Sequence, residues 1–138
     1  IAITHTAIDT PHGRRGLPGG MLPRLVSREH ARAVAAAGGI VGVWKSFPTL
    51  VDFVIGIKEM ADVVGIDHVG IGTDTYINPA PSASGGRQTT NSLWPEAPGG
   101  FVYKIANEML RQGFAPGEVA GVVGDNFCRV FGSLAGPK

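Results

Sequence analysis

The 138-residue sequence lacks the features that mark disulfide-rich, membrane or nucleic-acid-binding proteins. Its single cysteine, Cys128, excludes an internal disulfide framework and a zinc site built from Cys-x-x-Cys pairs, and it slightly favours the cytoplasm. Twelve basic and eleven acidic residues leave a net charge of +1, which excludes the strongly basic surface typical of nucleic-acid binding. No apolar run reaches the length of a membrane span. We therefore expect a core-forming globular chain without a nucleic-acid partner or a membrane span.

A glycine-rich nucleotide-binding loop is absent as well. Gly70 and Gly72 form a Gly-x-Gly pair, but the pair lies within a predicted strand and does not open a helix, so it is no dinucleotide-binding fingerprint. The 21 glycines and 10 prolines instead suit many tight turns between strands and helices.

Three short apolar runs predict the buried strands of a parallel sheet, at residues 1–3, 40–44 and 69–71. Segments of helical periodicity separate them. The first begins after Ser27 as N-cap, and the second begins at Thr49, with Asp52 as a capping-box-like partner. The order strand, helix, strand, helix, strand predicts an α/β fold made of parallel βα units.

The part of the chain after the third strand is predicted to be a long loop followed by helices. The loop covers residues 76–100, and a helix is expected over residues 101–112. Pro116 suits the first turn of another helix, and Asp125 with Asn126 can cap a last short turn.

Polar residues follow the first and the third predicted strand. His5 stands at the exit of the first strand and Asp74 at the exit of the third, and long loops leave from the same ends. In β/α barrels, ligand chemistry gathers where the parallel strands end. His5 and Asp74 are therefore candidate functional residues, while a small doubly wound domain is the alternative architecture.

Three segments resemble signatures of the membrane (renal) dipeptidase family of zinc peptidases. They read THT at residues 4–6 with AAGGIVGV at residues 36–43, then GIDHVGIGTD at residues 65–74, then RQGF at residues 111–114 with GDNFCRVF at residues 124–131. They occur in the family's order and match about the C-terminal third of its usual chain. The resemblance implies that residues 1–132 are the C-terminal part of a (β/α)8 TIM-like barrel, followed by a tail at residues 133–138.

The resemblance also implies roles for individual residues. In the family, a hydroxide held between two zinc ions attacks the carbonyl of a dipeptide. His5 matches the last zinc-ligating histidine, and Asp74 matches the catalytic aspartate that handles the proton. Arg15 is expected to bind the terminal carboxylate of the substrate, with Arg14 as the alternative because the loop differs by one residue. The remaining ligands of the binuclear zinc site have no counterpart in this chain.

We therefore expect a zinc-dependent dipeptidase that is active only when an N-terminal segment or a companion chain completes it. The expected partners are a small peptide substrate and further copies in a homo-oligomer. Thr75 and the two residues after it depart from the family's Asp-Phe-Asp-Gly, which leaves the substrate class open. The alternatives are an inactive barrel fragment that acts as an oligomerisation or binding subunit, and a related metal-dependent hydrolase of a different amide or ester.

Four other residues need an interpretation. His68 stands at the start of its strand, the end of a barrel that serves stability, and is predicted to be structural. Cys128 lies in an apolar helical patch and is predicted to belong to the core. Trp44 and Trp94 are candidates either for the rim of a pocket or for packing.

Overall fold

The computed structural model describes residues 1–74 and 89–132. The tail at residues 133–138, Thr75 and the part of the predicted loop at residues 76–88 lie outside the described residues. The strands and helices of the described ranges are, in chain order, β1 (Ala2–Thr6), a 3₁₀ helix (Gly19–Arg24), α1 (Arg28–Ala36), β2 (Ile40–Trp44), α2 (Leu50–Val64), a 3₁₀ turn (Ile66–His68), β3 (Val69–Gly72), a 3₁₀ turn (Thr90–Ser92), α3 (Phe101–Arg111), α4 (Pro116–Ala120), a π-helical turn (Gly121–Asp125) and α5 (Asn126–Gly132). The predicted alternation of strands and helices is confirmed.

The three strands form one parallel sheet in the order β1-β2-β3. Val41 on the central strand pairs with Ile3 on one side and with Val69 on the other. Parallel neighbours joined by helical crossovers are the βα units that the apolar runs predict, so the predicted α/β class is confirmed.

One face of the sheet packs against α2 and forms the hydrophobic core. Val41, Val43 and Val69 on the strands are fully buried there. The helix contributes an equally buried stripe at helical spacing, made of Phe53, Val54, Ile57 and Met60. Burial of this apolar surface is the main force that holds α2 against the strands.

The ends of α2 follow from local chemistry. Thr49 Oγ1 accepts a hydrogen bond from the N–H of Asp52 at 3.0 Å and donates to Asp52 Oδ2 at 2.8 Å. The predicted N-cap and its partner three residues on are thus confirmed. At the other end Gly65 has a φ of +85°, a conformation that favours glycine and stops the helix.

A β-bulge interrupts β1 next to its end. Ile3 pairs with Val41 and Thr6 with Val43, so β1 carries one extra residue between these two pairs. The bulge turns the carbonyl of Thr4 over the face of the sheet that lies opposite α2. A Cβ atom on Gly72 would overlap the Thr4 carbonyl oxygen, so glycine is required where the bulge crosses β3.

Two predictions for the C-terminal helices are wrong. Asn126 does not cap a new turn, because its backbone is helical and continues the chain of helical turns that starts at α4. Its side chain instead donates to the carbonyls of Ile66 and Val69, at 2.9 and 2.8 Å. Cys128 is exposed and does not belong to the core, because its neighbour Phe127 takes the position against the sheet.

His68 makes the structural contact that its position predicts. One of its ring nitrogens, Nδ1, lies 2.7 Å from the carbonyl oxygen of Gly39 and so ties the start of β3 to the start of β2. Within residues 1–74 and 89–132, no helix is both long enough and apolar enough to cross a lipid bilayer.

Candidate functional site

The side chains of His5 and Asp74 meet at the ends of the strands. Nε2 of His5 lies 3.8 Å from Oδ1 of Asp74, and the two side chains are 33% and 43% exposed. They share a cleft of about 610 Å³ with residues of β1, β3 and α5, namely Thr4, Ile71, Gly72, Thr73 and Phe127. The structure therefore brings together the predicted metal ligand and the predicted catalytic carboxylate.

The bulge in β1 orients His5. Thr4 Oγ1 lies 3.0 Å from Nδ1 of the imidazole, within hydrogen-bond distance. The other ring nitrogen, Nε2, faces Asp74. Metal-ligating histidines are commonly oriented in this way, with one ring nitrogen held by a neighbouring group and the other turned towards the site.

Asp74 has an unusual backbone conformation. Its φ is +47°, in the left-handed region that residues other than glycine rarely adopt, although aspartate and asparagine tolerate it better than most. Strained conformations of this kind are concentrated at functional sites. Asp74 lies two residues after the end of β3, and its carboxylate is half exposed beside His5.

The two loop arginines form ion pairs within their own surroundings. Arg14 Nε donates to Asp9 Oδ1 at 2.6 Å, and this hydrogen bond holds the pKa of the Asp9 carboxyl below its ordinary value. Arg15 Nη1 donates to Asp52 Oδ1 at 2.7 Å. Neither arginine is among the described residues that line the cleft. The carboxylate-binding roles of Arg15 and Arg14 stay predictions.

The two tryptophans occupy different places. Trp94 is buried in the core between Phe53 and Phe101, so it serves packing. Trp44 is also buried, but its ring meets the edge of the His5 ring at a centroid distance of 5.9 Å. The guanidinium of Arg24 lies 5.9 Å from the centre of the Trp44 ring.

The contacts of Thr4 and Arg24 could not be predicted from the sequence, because they depend on the fold. Thr4 lies next to His5, but its hydroxyl reaches Nδ1 in the bulged conformation of β1. Arg24 comes near the site because Thr6 Oγ1 donates to its backbone carbonyl at 2.8 Å.

The described residues provide one candidate metal ligand, which is fewer than a whole metal site needs. His5 turns an imidazole nitrogen towards the cleft, and imidazole is a suitable zinc ligand. Within the described ranges, however, no group of three or more His, Cys, Asp or Glu side chains could hold a metal ion. A catalytic zinc ion requires about three protein ligands. These residues alone therefore do not build the zinc site that the resemblance implies.

Comparison with known proteins identifies related folds. No family model matches the sequence, and no relative is found among curated proteins. Among solved structures, the chain is similar to an amidohydrolase from Pseudomonas aeruginosa, with 21% identity and a TM-score of 0.68 over 99% of this chain and 46% of that one. The probable dipeptidase PvdM from Pseudomonas aeruginosa shows 16% identity and a TM-score of 0.66, over 96% and 44% of the two chains.

A third similar structure is a metallopeptidase from Rhodobacter sphaeroides that is liganded with a phosphinate mimic of the dipeptide L-Ala-D-Ala. It shares 14% identity with this chain and a TM-score of 0.60, over 91% of this chain and 34% of its own. The chain thus spans less than half the length of each of these proteins. This likeness shows the fold alone: the α/β arrangement of the chain, with its parallel sheet, is consistent with part of a barrel.

Proposed function

We propose that this chain forms part of a metal-dependent hydrolase that cleaves dipeptides, with zinc as its metal. The observation that carries the proposal is the 3.8 Å approach of His5 Nε2 and Asp74 Oδ1 at the ends of β1 and β3. One imidazole and one half-exposed carboxylate share a cleft at the edge of the sheet where barrel enzymes do their chemistry.

His5 and Asp74 take different roles in this proposal. His5 would hold the metal through Nε2 while Thr4 fixes the opposite nitrogen. Bound zinc supplies Lewis acidity that polarises the peptide carbonyl. Asp74 accepts a proton from the attacking water at its carboxylate and passes that proton to the amine nitrogen as the C–N bond breaks, since its exposure lets it reach both water and substrate.

The proposal includes a partner for the sheet, either an N-terminal portion of the same protein or a companion chain. The outer edges of β1 and β3 have no strand partner among the described residues, whereas a closed barrel has no such edges. The solved relatives are more than twice as long as the segment that they share with this chain. Additional strands would supply the missing zinc ligands and close the barrel.

There are two alternative functions. A fragment without metal that serves as an oligomerisation or binding subunit would use the same open strand edges as its interface. A hydrolase of a different amide is favoured by the similarity to an amidohydrolase, which has the highest TM-score of the structures compared above. Both predict no hydrolysis of L-Ala-D-Ala.

The test measures zinc content and L-Ala-D-Ala hydrolysis in the complete protein, with His5→Ala as the variant and His30→Ala as its control. His30 is exposed on α1, so its loss removes an imidazole away from the cleft. We expect about two zinc ions in the complete protein, with fewer zinc ions and no hydrolysis in His5→Ala alone. Zinc-free protein in an intact assembly would refute the proposal.

A further inference from the structure

Phe127 is an aromatic side chain of α5 that lines the cleft of His5 and Asp74. Among the described residues of this cleft, four polar ones lie at or near the strand ends, namely Thr4, His5, Thr73 and Asp74. Phe127 adds an apolar ring from the helix. The residue is half-buried, and its ring stacks on that of Phe131 at a centroid distance of 5.9 Å. The cleft therefore combines a polar side at the strand ends with an aromatic wall.

The position of Phe127 is fixed by its contacts with β3. A Cβ atom on Gly70 would overlap the phenyl ring, so the ring packs directly on the strand. The side chains of Asn126 and Arg129, on either side of Phe127 in the sequence, donate hydrogen bonds to backbone carbonyls at the start of β3 and in the turn before it. These bonds anchor α5, and with it the phenyl ring, to the sheet.

The ring lies on the face of the sheet opposite α2. Side chains alternate along a strand, and Val69 belongs to the core under α2, so the space above Gly70 is on the other face. In a β/α barrel the helices form the outer ring, and the other face of the sheet therefore points to the interior. Closure of the barrel by further strands would keep Phe127 on this interior side.

The cleft is larger than a dialanine requires. Its volume of about 610 Å³ lies within the range of pockets that hold drug-sized ligands. A strand rises about 3.3 Å per residue, so Gly70, under the ring, lies about 13 Å from Asp74 along the chain. A dipeptide spans only about 7 Å. A peptide bond beside Asp74 therefore leaves room, on the side of Phe127, for a side chain much larger than a methyl group.

We propose that Phe127 is the specificity-determining wall of this cleft and that it selects dipeptides with a large apolar side chain. The proposal rests on the proposed function, because it names the side-chain class of the dipeptide. Contact with the ring removes apolar surface of the ligand from water, which favours leucine over alanine by about tenfold or more.

The experiment measures dissociation constants by calorimetry in the complete protein that carries Asp74→Asn, so that slow turnover does not interfere. The ligands are L-Leu-D-Ala, L-Ala-D-Leu and L-Ala-D-Ala. We expect at least one leucine dipeptide to bind about tenfold or more tightly than L-Ala-D-Ala. Phe127→Ala should abolish this preference, and Phe127→Leu, which keeps a large apolar side chain, should retain most of it.

Two further variants separate selection from packing. Gly70→Ala keeps the phenyl ring but pushes it away from β3 into the cleft, so it should lower the leucine preference. Phe114→Ala is the matched control, because Phe114 is also a partly buried phenylalanine but is not among the described residues that line the cleft. It should leave the leucine preference unchanged even where it lowers the melting temperature.

The proposal is overturned if the Asp74→Asn protein shows no leucine preference, if the preference survives Phe127→Ala, or if Phe114→Ala reduces it equally. A Phe127→Ala protein with a lower melting temperature and an unchanged preference would assign the ring to packing alone. Absence of binding by all three dipeptides would overturn it as well.

Binding is measured without hydrolysis, so the two proposals can fail separately. A leucine preference that depends on Phe127, in a protein whose parent form hydrolyses none of the three dipeptides, would count against the proposed function and in favour of the wall. Hydrolysis of L-Ala-D-Ala by a protein without any leucine preference would count against the wall alone.

Discussion

Asp74 and His5 face each other at 3.8 Å although their strands are not neighbours in the sheet. β2 lies between β1 and β3, and neighbouring strands in a sheet are about 4.8 Å apart. The approach depends on the bulge at Thr4 and His5, which carries β1 over the face of the sheet, and on Gly72, which leaves room for it. Asp74 itself has a left-handed backbone conformation, with its carboxylate beside the imidazole.

The role of Asp74 is tested by Asp74→Asn in the complete protein. Asparagine tolerates the left-handed backbone and keeps the size of the side chain, but it cannot accept the proton. We expect the rate of L-Ala-D-Ala hydrolysis to fall by about 10²- to 10⁴-fold, with an unchanged melting temperature. Asp67→Asn, at the opposite end of β3, is the matched control and should keep the parental rate. If Asp74→Asn hydrolysed L-Ala-D-Ala as fast as Asp67→Asn and the parent protein, Asp74 would have no part in the mechanism.

The space at Gly72 is tested by Gly72→Ala. The added methyl group would overlap the carbonyl oxygen of Thr4 and crowd the Cα atom of His5, so the bulge must shift. We expect a loss of about 1–3 kcal/mol in the free energy of unfolding, measured by urea denaturation. Gly117→Ala in α4 meets nothing within 4 Å and should be neutral or stabilising by up to about 1 kcal/mol. An unchanged stability in Gly72→Ala would contradict the tight crossing of β1 over β3.

Lys104 is a buried cation that holds the loop before α3. Its Nζ donates to the backbone carbonyls of Leu93 and Trp94, at 2.8 and 3.0 Å, and more weakly to that of Asn91, at 3.3 Å. Lys104→Met should cost about 2–3 kcal/mol, because these carbonyls lose their donor. Lys58→Met on the exposed side of α2 is the control, with an expected change below about 0.5 kcal/mol. Similar urea midpoints for the two variants would refute the role of Lys104.

The ion pair between Arg14 and Asp9 predicts a pH dependence. The hydrogen bond from Arg14 lowers the pKa of Asp9 in the folded chain, so the unfolded chain takes up its proton first as the pH falls. The stabilising contribution of the pair is present above the unfolded pKa and is lost as the pH falls through the folded pKa. In carboxyl ¹³C NMR titrations, Arg14→Gln should raise the pKa of Asp9 and Arg15→Gln should not. An unmoved pKa in Arg14→Gln would contradict the pairing.

Much of the fold could be predicted from the sequence because its signals are local. The apolar run at Ile40–Trp44 and the caps Thr49 and Gly65 act within a few residues, so the pattern alone indicates β2 and the bounds of α2. His5 and Asp74 could be predicted as candidates because each follows a strand.

The details of the site depend on contacts between distant segments, which no local pattern contains. The extra residue in β1 is recognised from the register of its pairing with β2. The sequence pattern predicts the capping role of Asp52, but the second contact of Asp52, with Arg15, joins segments 37 residues apart. The predicted core position of Cys128 is wrong because the buried face of α5 depends on how that helix meets β3, and Phe127 occupies that face.

We propose that His5 holds a catalytic zinc ion through Nε2. The most direct measurement is anomalous diffraction at the zinc absorption edge from crystals of the complete protein. We expect an anomalous peak about 2.0–2.1 Å from His5 Nε2, on the side that faces Asp74. An active protein whose crystals show zinc elsewhere, with no peak at His5, would contradict it.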